Sequence, residues 1–196
     1  MALIGIVGQA GHGKDTIGTI LKEKHGFHTY ALATPLKEGI CKTVFGLSDE
    51  QLYTQLGKEK KDEFWGCSAR EIMQFVGTEL FREQMCRIMP HVGKEFWLQV
   101  FRKWRKDLFL KLKYLPNVVV TDVRFQNEAD FIKKYGGKIW RVQRDFGVHT
   151  DFLQESTRQH SSEIEQLNIQ GVDEVIMNDG TIEDLEDKIK KLIEIN

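Results

Sequence analysis

The opening of the chain constrains the fold most. Leu3-Ile4-Gly5-Ile6-Val7 runs without a break into Gly8-Gln9-Ala10-Gly11-His12-Gly13-Lys14-Asp15-Thr16. An apolar run with no polar alternation reads as a strand buried on both faces, as in the centre of a parallel sheet. The glycines that follow have the spacing GxxxxGK. They let successive backbone N–H groups converge on phosphate oxygens. A helix read over Thr16 to Lys24 brings the partial positive charge of its N-terminus to the same place. Lys14 adds a mobile cation for β and γ phosphates. A glycine turn beside a surface lysine is the plain alternative. A strand before the loop and a helix after it point instead to a nucleoside triphosphate. The residues expected to bind it are Gly8, Gly11, His12, Gly13, Lys14, Asp15 and Thr16.

Asp15 stands where such loops usually offer a hydroxyl to Mg²⁺. A carboxylate can also hold this ion, directly or through water, because Mg²⁺ takes oxygen ligands. An acid in a first helical turn is also favoured simply by the helix dipole. Thr16 can donate to a phosphate or serve as a helix-start hydroxyl.

Beyond the loop, strands and helices alternate. Extended segments are read at His28–Leu32, Val118–Val120, Lys138–Gln143 and Glu174–Met177. Helices are read from Thr34-Pro35 to Gly46, over Ala69–Met89, Glu95–Leu112, Asn127–Lys134 and Thr181–Ile193. Ser68 with Glu71 has capping-box spacing. Ser48 to Trp65 reads as polar and irregular. This alternation predicts an α/β fold, a parallel sheet between two helical layers. The expected core is 1–33, 116–143 and 172–196, with elaborations at 34–115 and 144–171.

Charge and cysteine content exclude several classes. Lys and Arg number 28 against 29 Asp and Glu, a net charge of −1. No basic stripe is present to attract nucleic acid, which argues against a nucleic-acid end kinase, and nothing favours an anionic membrane. No apolar run is long enough to span a bilayer, and the opening lacks a signal peptide's basic first segment. Cys41, Cys67 and Cys86 are far apart with no CxxC pair. That fits a reducing cytoplasm (the host's, for a viral protein) rather than a disulfide or zinc framework.

An ordered set of motifs resembles the phage-type deoxynucleoside monophosphate kinases. It comprises Gly11-His-Gly-Lys-Asp-Thr16, Pro35-Leu36-Lys37-Glu38, Arg70 to Arg82 with Gln74, Gly77, Thr78 and Glu79, and Thr121-Asp122-Val123-Arg124 through Asn127-Glu128. His160-Ser-Ser-Glu163 and Asn178-Asp179-Gly180-Thr181 complete it. The glycine loop and the Asp-x-Arg pair are also similar to phosphomevalonate kinase, and the closing turn to dephospho-coenzyme A kinase. The resemblance implies an adenylate-kinase-like P-loop domain, a three-layer α/β/α parallel sheet with a helical acceptor-binding insertion (34–115) and a lid (144–171). It also implies phosphate transfer from ATP to a deoxynucleoside monophosphate.

Other candidates then take roles. Asp122 and Arg124 end the most apolar strand, where ligands bind in open α/β sheets. Asp122 is a candidate Mg²⁺ ligand beside Asp15, and Arg124 a bidentate phosphate grip. Arg70, Gln74, Gly77 and Phe81 recur at four- and three-residue steps on one helix face, as candidate contacts to the acceptor's base and phosphate, the phosphate falling to Arg70 or Arg82. Helix packing is the bland alternative for Gly77 and Phe81. Phe96 and Trp97 read as core. Arg144 and Arg158 are candidate lid cations, with His160 and Glu163 as weaker acceptor contacts. The expected partners are small molecules, with a homodimer left open. The alternatives are a dephospho-coenzyme A or phosphomevalonate type of kinase, or a nucleotide-binding switch. No water-positioning residue or switch segment supports the last.

Overall fold

The computed structural model describes residues 1–145 and 165–194. Its centre is a five-stranded, all-parallel sheet in the order β2-β3-β1-β4-β5. The strands are β1 (Leu3–Val7), β2 (His28–Tyr30), β3 (Val118–Val120), β4 (Lys138–Gln143) and β5 (Glu174–Met177). β1 and β3 are buried at every position. Strands paired on both sides and covered on both faces need no polar alternation, which is why continuous apolar runs fold here. In register, Ile4 faces Val119 of β3 on one side and Lys138 of β4 on the other.

The chain forms two compact units, Met1–Ala31 with Leu108–Asn196, and Leu32–Asp107. The first holds the sheet. Helix α1 (Lys14–His25) and the helix over Ile182–Glu194 cover one face. There Ile17, Ile20 and Leu21 of α1 meet Ile4, Ile6, Val119, Trp140, Val142 and Ile176 of the sheet, with Leu185 and Ile189 alongside. The helix over Gln126–Lys134 covers the other face, its Ile132 beside Gly5 and Ile139. The expected three layers are therefore present. Asp173 ties this helix to β4. Its carboxylate accepts from Lys133 Nζ at 2.5 Å and from the Ile139 N–H at 2.7 Å.

The second unit is helical. It begins with a π-helical segment, Pro35–Cys41, followed by α2 (Asp49–Tyr53) and α3 (Gln55–Glu59). Next come α4 (Ala69–Gln74), continuing as the π-helical Phe75–Gln84, and α5 (Phe96–Leu112). The helices over Gln126–Lys134 and Ile182–Glu194 are α6 and α7. The core of this unit is Leu36, Cys41, Leu47, Leu52, Ala69, Ile72, Val76 and Trp97.

Two expectations need correction here. Ser48–Trp65 is not irregular throughout. Ser48 and Gln51 form a reciprocal capping box, and the Thr54 hydroxyl accepts from the Gly57 N–H, so two short helices start where their caps stand. The helix read over Ala69–Met89 is not uniform either. After Gln74 it widens to i→i+5 bonding, then tightens to a 3₁₀ turn at Met85–Arg87. The wide stretch buries Val76, Gly77, Thr78 and Arg82 together. The Arg82 guanidinium is satisfied in part by the Lys94 carbonyl at 3.2 Å.

Ile189 is fully buried between α7 and the sheet, whereas Ile182 at the start of α7 is 60% exposed. Ile189→Ala should cost about 2–5 kcal/mol in urea unfolding. Ile182→Ala should stay within about 0.5 kcal/mol of the parent.

Candidate active site

The loop between β1 and α1 is tightly specified. Gly8 is buried, and a side chain there would place Cβ 2.6 Å from the Val142 carbonyl oxygen of β4. Gly13, the residue before α1, has φ +103°, a conformation L side chains rarely adopt. The Lys14 ammonium donates to the Gly8 carbonyl at 2.5 Å and to the Gln9 carbonyl at 2.8 Å, so the loop curls around its own lysine. Asp15 and Thr16 are exposed in the first turn of α1.

His12 is held on two sides. Its ring Nδ1 lies 3.3 Å from the Val142 carbonyl, and its own carbonyl accepts from Asn178 Nδ2 at 2.9 Å. Partial burial lowers the His12 pKa below its ordinary 6.5. The Val142 carbonyl opposes this, and the Lys14 charge adds to it. The ring is therefore mainly uncharged at neutral pH.

A second set of residues follows β3. The Thr121 N–H donates to the Tyr30 carbonyl at 3.0 Å, and the Val123 N–H to the Ile6 carbonyl at 3.1 Å. These bonds carry Asp122 and Arg124, both half-buried, along the carboxyl edge of β1, where the glycine loop also begins. Glu128, 3% exposed, accepts from the Arg124 N–H at 2.8 Å and the Phe125 N–H at 3.1 Å. Burial and the Asp122 charge push the Tyr30 phenol up to about 12. Arg144 follows β4 at the same edge and is exposed. Arg141 points away, donating to the Ile169 carbonyl at 2.7 Å, as strand alternation requires. Arg158, His160 and Glu163 lie outside the described residues.

In the helical unit, Arg70 is half-buried and donates from Nε to Glu59 at 2.5 Å. Gln74 is half-buried at the end of α4. Gly77 packs against Leu36 of the Pro35-Leu36-Lys37-Glu38 motif, and its carbonyl accepts from Trp97 Nε1 at 2.8 Å. The Phe81 ring lies against Phe96 and Trp97, with centroids 4.8 and 5.4 Å away. Gly77 and Phe81 thus have evident packing partners, and Trp97 is core as read.

The deoxynucleotide monophosphate kinase family model matches residues 49–189. A protein of Acanthamoeba polyphaga mimivirus named "Putative deoxynucleotide monophosphate kinase" is 42% identical over 191 residues, 96% of this chain and 94% of its own. The chain belongs to the deoxynucleotide monophosphate kinase family. It is thus a phosphotransferase of nucleotide type, and the dephospho-coenzyme A, phosphomevalonate and switch alternatives are not favoured. Among solved structures, a protein from Chloroflexus aurantiacus described as a "putative kinase" matches with a TM-score of 0.50 and 12% identity, over 98% of this chain and 96% of its own. Dephospho-CoA kinase from Campylobacter jejuni matches with a TM-score of 0.48 and 15% identity, over 98% of this chain and 95% of its own. At 12% identity the Chloroflexus likeness speaks for the shared fold only.

Two residues without a role in the motif reading hold the backbone of the candidate site. Asn178 braces the glycine loop from the end of β5. Glu128 fixes the backbone of Arg124. Its place four residues after the arginine was the available signal, since a carboxylate in a first turn can reach back to free N–H groups.

Glu128→Ala should cost about 1–3 kcal/mol in urea unfolding, because two N–H donors lose a buried acceptor. For His12, the lowered folded pKa makes the uncharged ring's contribution to stability complete above about pH 6.5. It declines as pH falls through the lowered value. Urea unfolding across that range should show a flatter pH profile for His12→Gln.

Proposed function

We propose that this protein transfers the γ-phosphoryl group of ATP to the phosphate of a deoxynucleoside monophosphate, giving ADP and the deoxynucleoside diphosphate. The observation that carries the reading is the loop curled around Lys14 between β1 and α1, in a chain of this family. Binding of ATP requires Lys14 to exchange its loop carbonyls for β and γ phosphate oxygens. The N–H groups of Gly11, Gly13 and the first turn of α1 then face the phosphates.

A phosphate oxygen of the acceptor is the nucleophile. It is already ionised at pH 7, so no strong general base is needed. The new O–P bond forms as the bond from the γ phosphorus to the β–γ bridging oxygen breaks, and ADP leaves with that electron pair. Alignment and charge neutralisation supply the catalysis. Lys14, Arg124, Arg144 and Arg158 are the proposed cations at the transferring group, with Asp15 as the loop's acid.

The donor set suits Mg²⁺. Among the described residues no three His, Cys, Asp or Glu side chains group to cage a metal. Asp15 and Asp122 offer single carboxylates, and Mg²⁺ in such enzymes is bound by one or two carboxylates, water and the substrate's own phosphates. When bound, the ion would neutralise charge on the phosphate oxygens.

Arg70 and Gln74 carry the polar groups on α4 that are proposed to contact the acceptor, while Gly77 and Phe81, the other two candidates on that face, are engaged in packing. Asp122 and Arg124, and His160 and Glu163 outside the described residues, remain proposed acceptor contacts. A cytoplasmic site of action fits Cys41, Cys67 and Cys86, all free thiols. No described helix is long and apolar enough to cross a membrane.

Purified protein assayed with ATP against all common dNMPs and NMPs should form ADP and diphosphate product with deoxynucleotides. ATP hydrolysis that ignores added nucleotide would count against transfer. Lys14→Ala should lower kcat/KM by on the order of 10²–10³-fold with the fold intact by circular dichroism. Near-parental activity would overturn the assignment. Arg144→Ala and Arg158→Ala should lower kcat more than they change ATP affinity.

A further inference from the structure

The peptide between His12 and Gly13 is held from outside the glycine loop. Asn178 stands just after β5, 9% exposed, with its own N–H donating to the Gln143 carbonyl at 2.7 Å. β5 is in register with β4 up to the pair Gln143 and Met177, so the position of Asn178 is set by the sheet. From there its side-chain Nδ2 donates to the His12 carbonyl at 2.9 Å. The same atom occupies the space a side chain on Gly13 would need. The His12 ring meanwhile reaches the Val142 carbonyl, one residue before Gln143.

We infer that Asn178 is a positioning residue of the donor site, its side-chain amide holding the His12–Gly13 peptide so that the loop's N–H groups face phosphate. This rests on the reading of the loop as the ATP site. Gly13 at φ +103° has wide backbone freedom when unrestrained. A free glycine loop would have to be ordered by the triphosphate itself, at a cost in affinity. The bond from Asn178 turns the His12 carbonyl toward β5, which orders that peptide before the ligand arrives. An amide is needed for this. A carboxylate of the same shape would set a negative oxygen against the carbonyl with no proton to donate.

The effect passes through the loop and not through the base of the nucleotide. The test is therefore binding of ATP and of inorganic tripolyphosphate, by calorimetry, to the full chain and to Asn178→Asp and Asn178→Ala. Both variants should weaken both ligands by a similar factor, about tenfold, which corresponds to one lost hydrogen bond. In the kinase assay, KM for ATP should rise while KM for the deoxynucleoside monophosphate changes less than about twofold.

Weakened ATP with unchanged tripolyphosphate would place Asn178 on the base and overturn the inference. Unchanged affinity for both ligands would overturn it too. A parent protein that binds neither ligand would sink the donor-site reading itself, which separates the two failures. Thermal melting shows whether each variant folds. Asn178→Asp keeps the amide's volume and Asn178→Ala removes it, so either alone carries the comparison.

Discussion

The pairing of β1 on both sides is the constraint on which the site depends. β3 and β4 flank it in parallel, so the chain leaving β1 and the chain leaving β3 emerge at one edge of the sheet. The chain runs from β1 outward to β2, returns through β3, and then crosses β1 to reach β4 and β5. That reversal about β1 opens a crevice at the carboxyl ends of the strands, the general ligand position in such sheets. The glycine loop, the Asp122–Arg124 turn and Arg144 all stand at this edge because of strand order. None of them needs a dedicated element to bring it there.

Sheet position alone does not fix a glycine-rich loop. Three local restraints do. Lys14 draws in the Gly8 and Gln9 carbonyls, the Val142 carbonyl closes over Gly8 and the His12 ring, and Asn178 takes the His12 carbonyl. The first restraint comes from the group that, in the proposed reaction, moves to a phosphate. The other two come from β4 and from the end of β5, and they do not have to change when Lys14 does. The loop can therefore release its lysine without losing the shape of its glycines. Glu128 plays the corresponding part on the other side of β1, where it holds the Arg124 N–H and leaves the guanidinium to its own contacts.

The legible parts of the fold were those with one strong signal. β1, β3, β4 and β5 have the boundaries their sequences announce: β1 and β3 are buried throughout and carry no competing pattern, while Gly136-Gly137 opens β4 and Asn178-Asp179-Gly180 closes β5. β2 ends at Tyr30, short of the extended reading through Leu32, where only Thr29 and its neighbours pair with β3. The helical unit was harder. Apolar spacing at 3.6 residues barely differs from a wider helix over two turns, so nothing in Phe75–Gln84 announces i→i+5 bonding. The Ser48 and Thr54 caps were present in the sequence but precede helices too short to show a period. At the candidate site, the glycine loop was readable because its chemistry is contiguous. The Arg70–Glu59 pair, the Gly77 contact with Leu36 and the Asn178 bond to His12 join residues distant in sequence, and only folding brings them together.

The groups with raised pKa values among the described residues are not candidates for proton removal. Burial pushes the Cys41 thiol up to about 11 and the Tyr30 and Tyr53 hydroxyls to about 12, the last two with help from Asp122 and Glu38 respectively. All three stay protonated at pH 7, so none serves as a base or an anionic nucleophile. Cys41 and Tyr30 mark packed interiors, the helical core and the sheet, whereas Tyr53 is exposed and donates its hydroxyl to Glu38. Phosphoryl transfer between nucleotides, the reaction proposed for this chain, calls for neither a side-chain base nor an anionic side-chain nucleophile. A phosphate nucleophile arrives already charged and asks instead for cations in fixed positions. The chain's near-zero net charge does not display that arrangement, in which Lys14, Arg124 and Arg144 stand at one sheet edge with Asp15 and Asp122 close by in the chain.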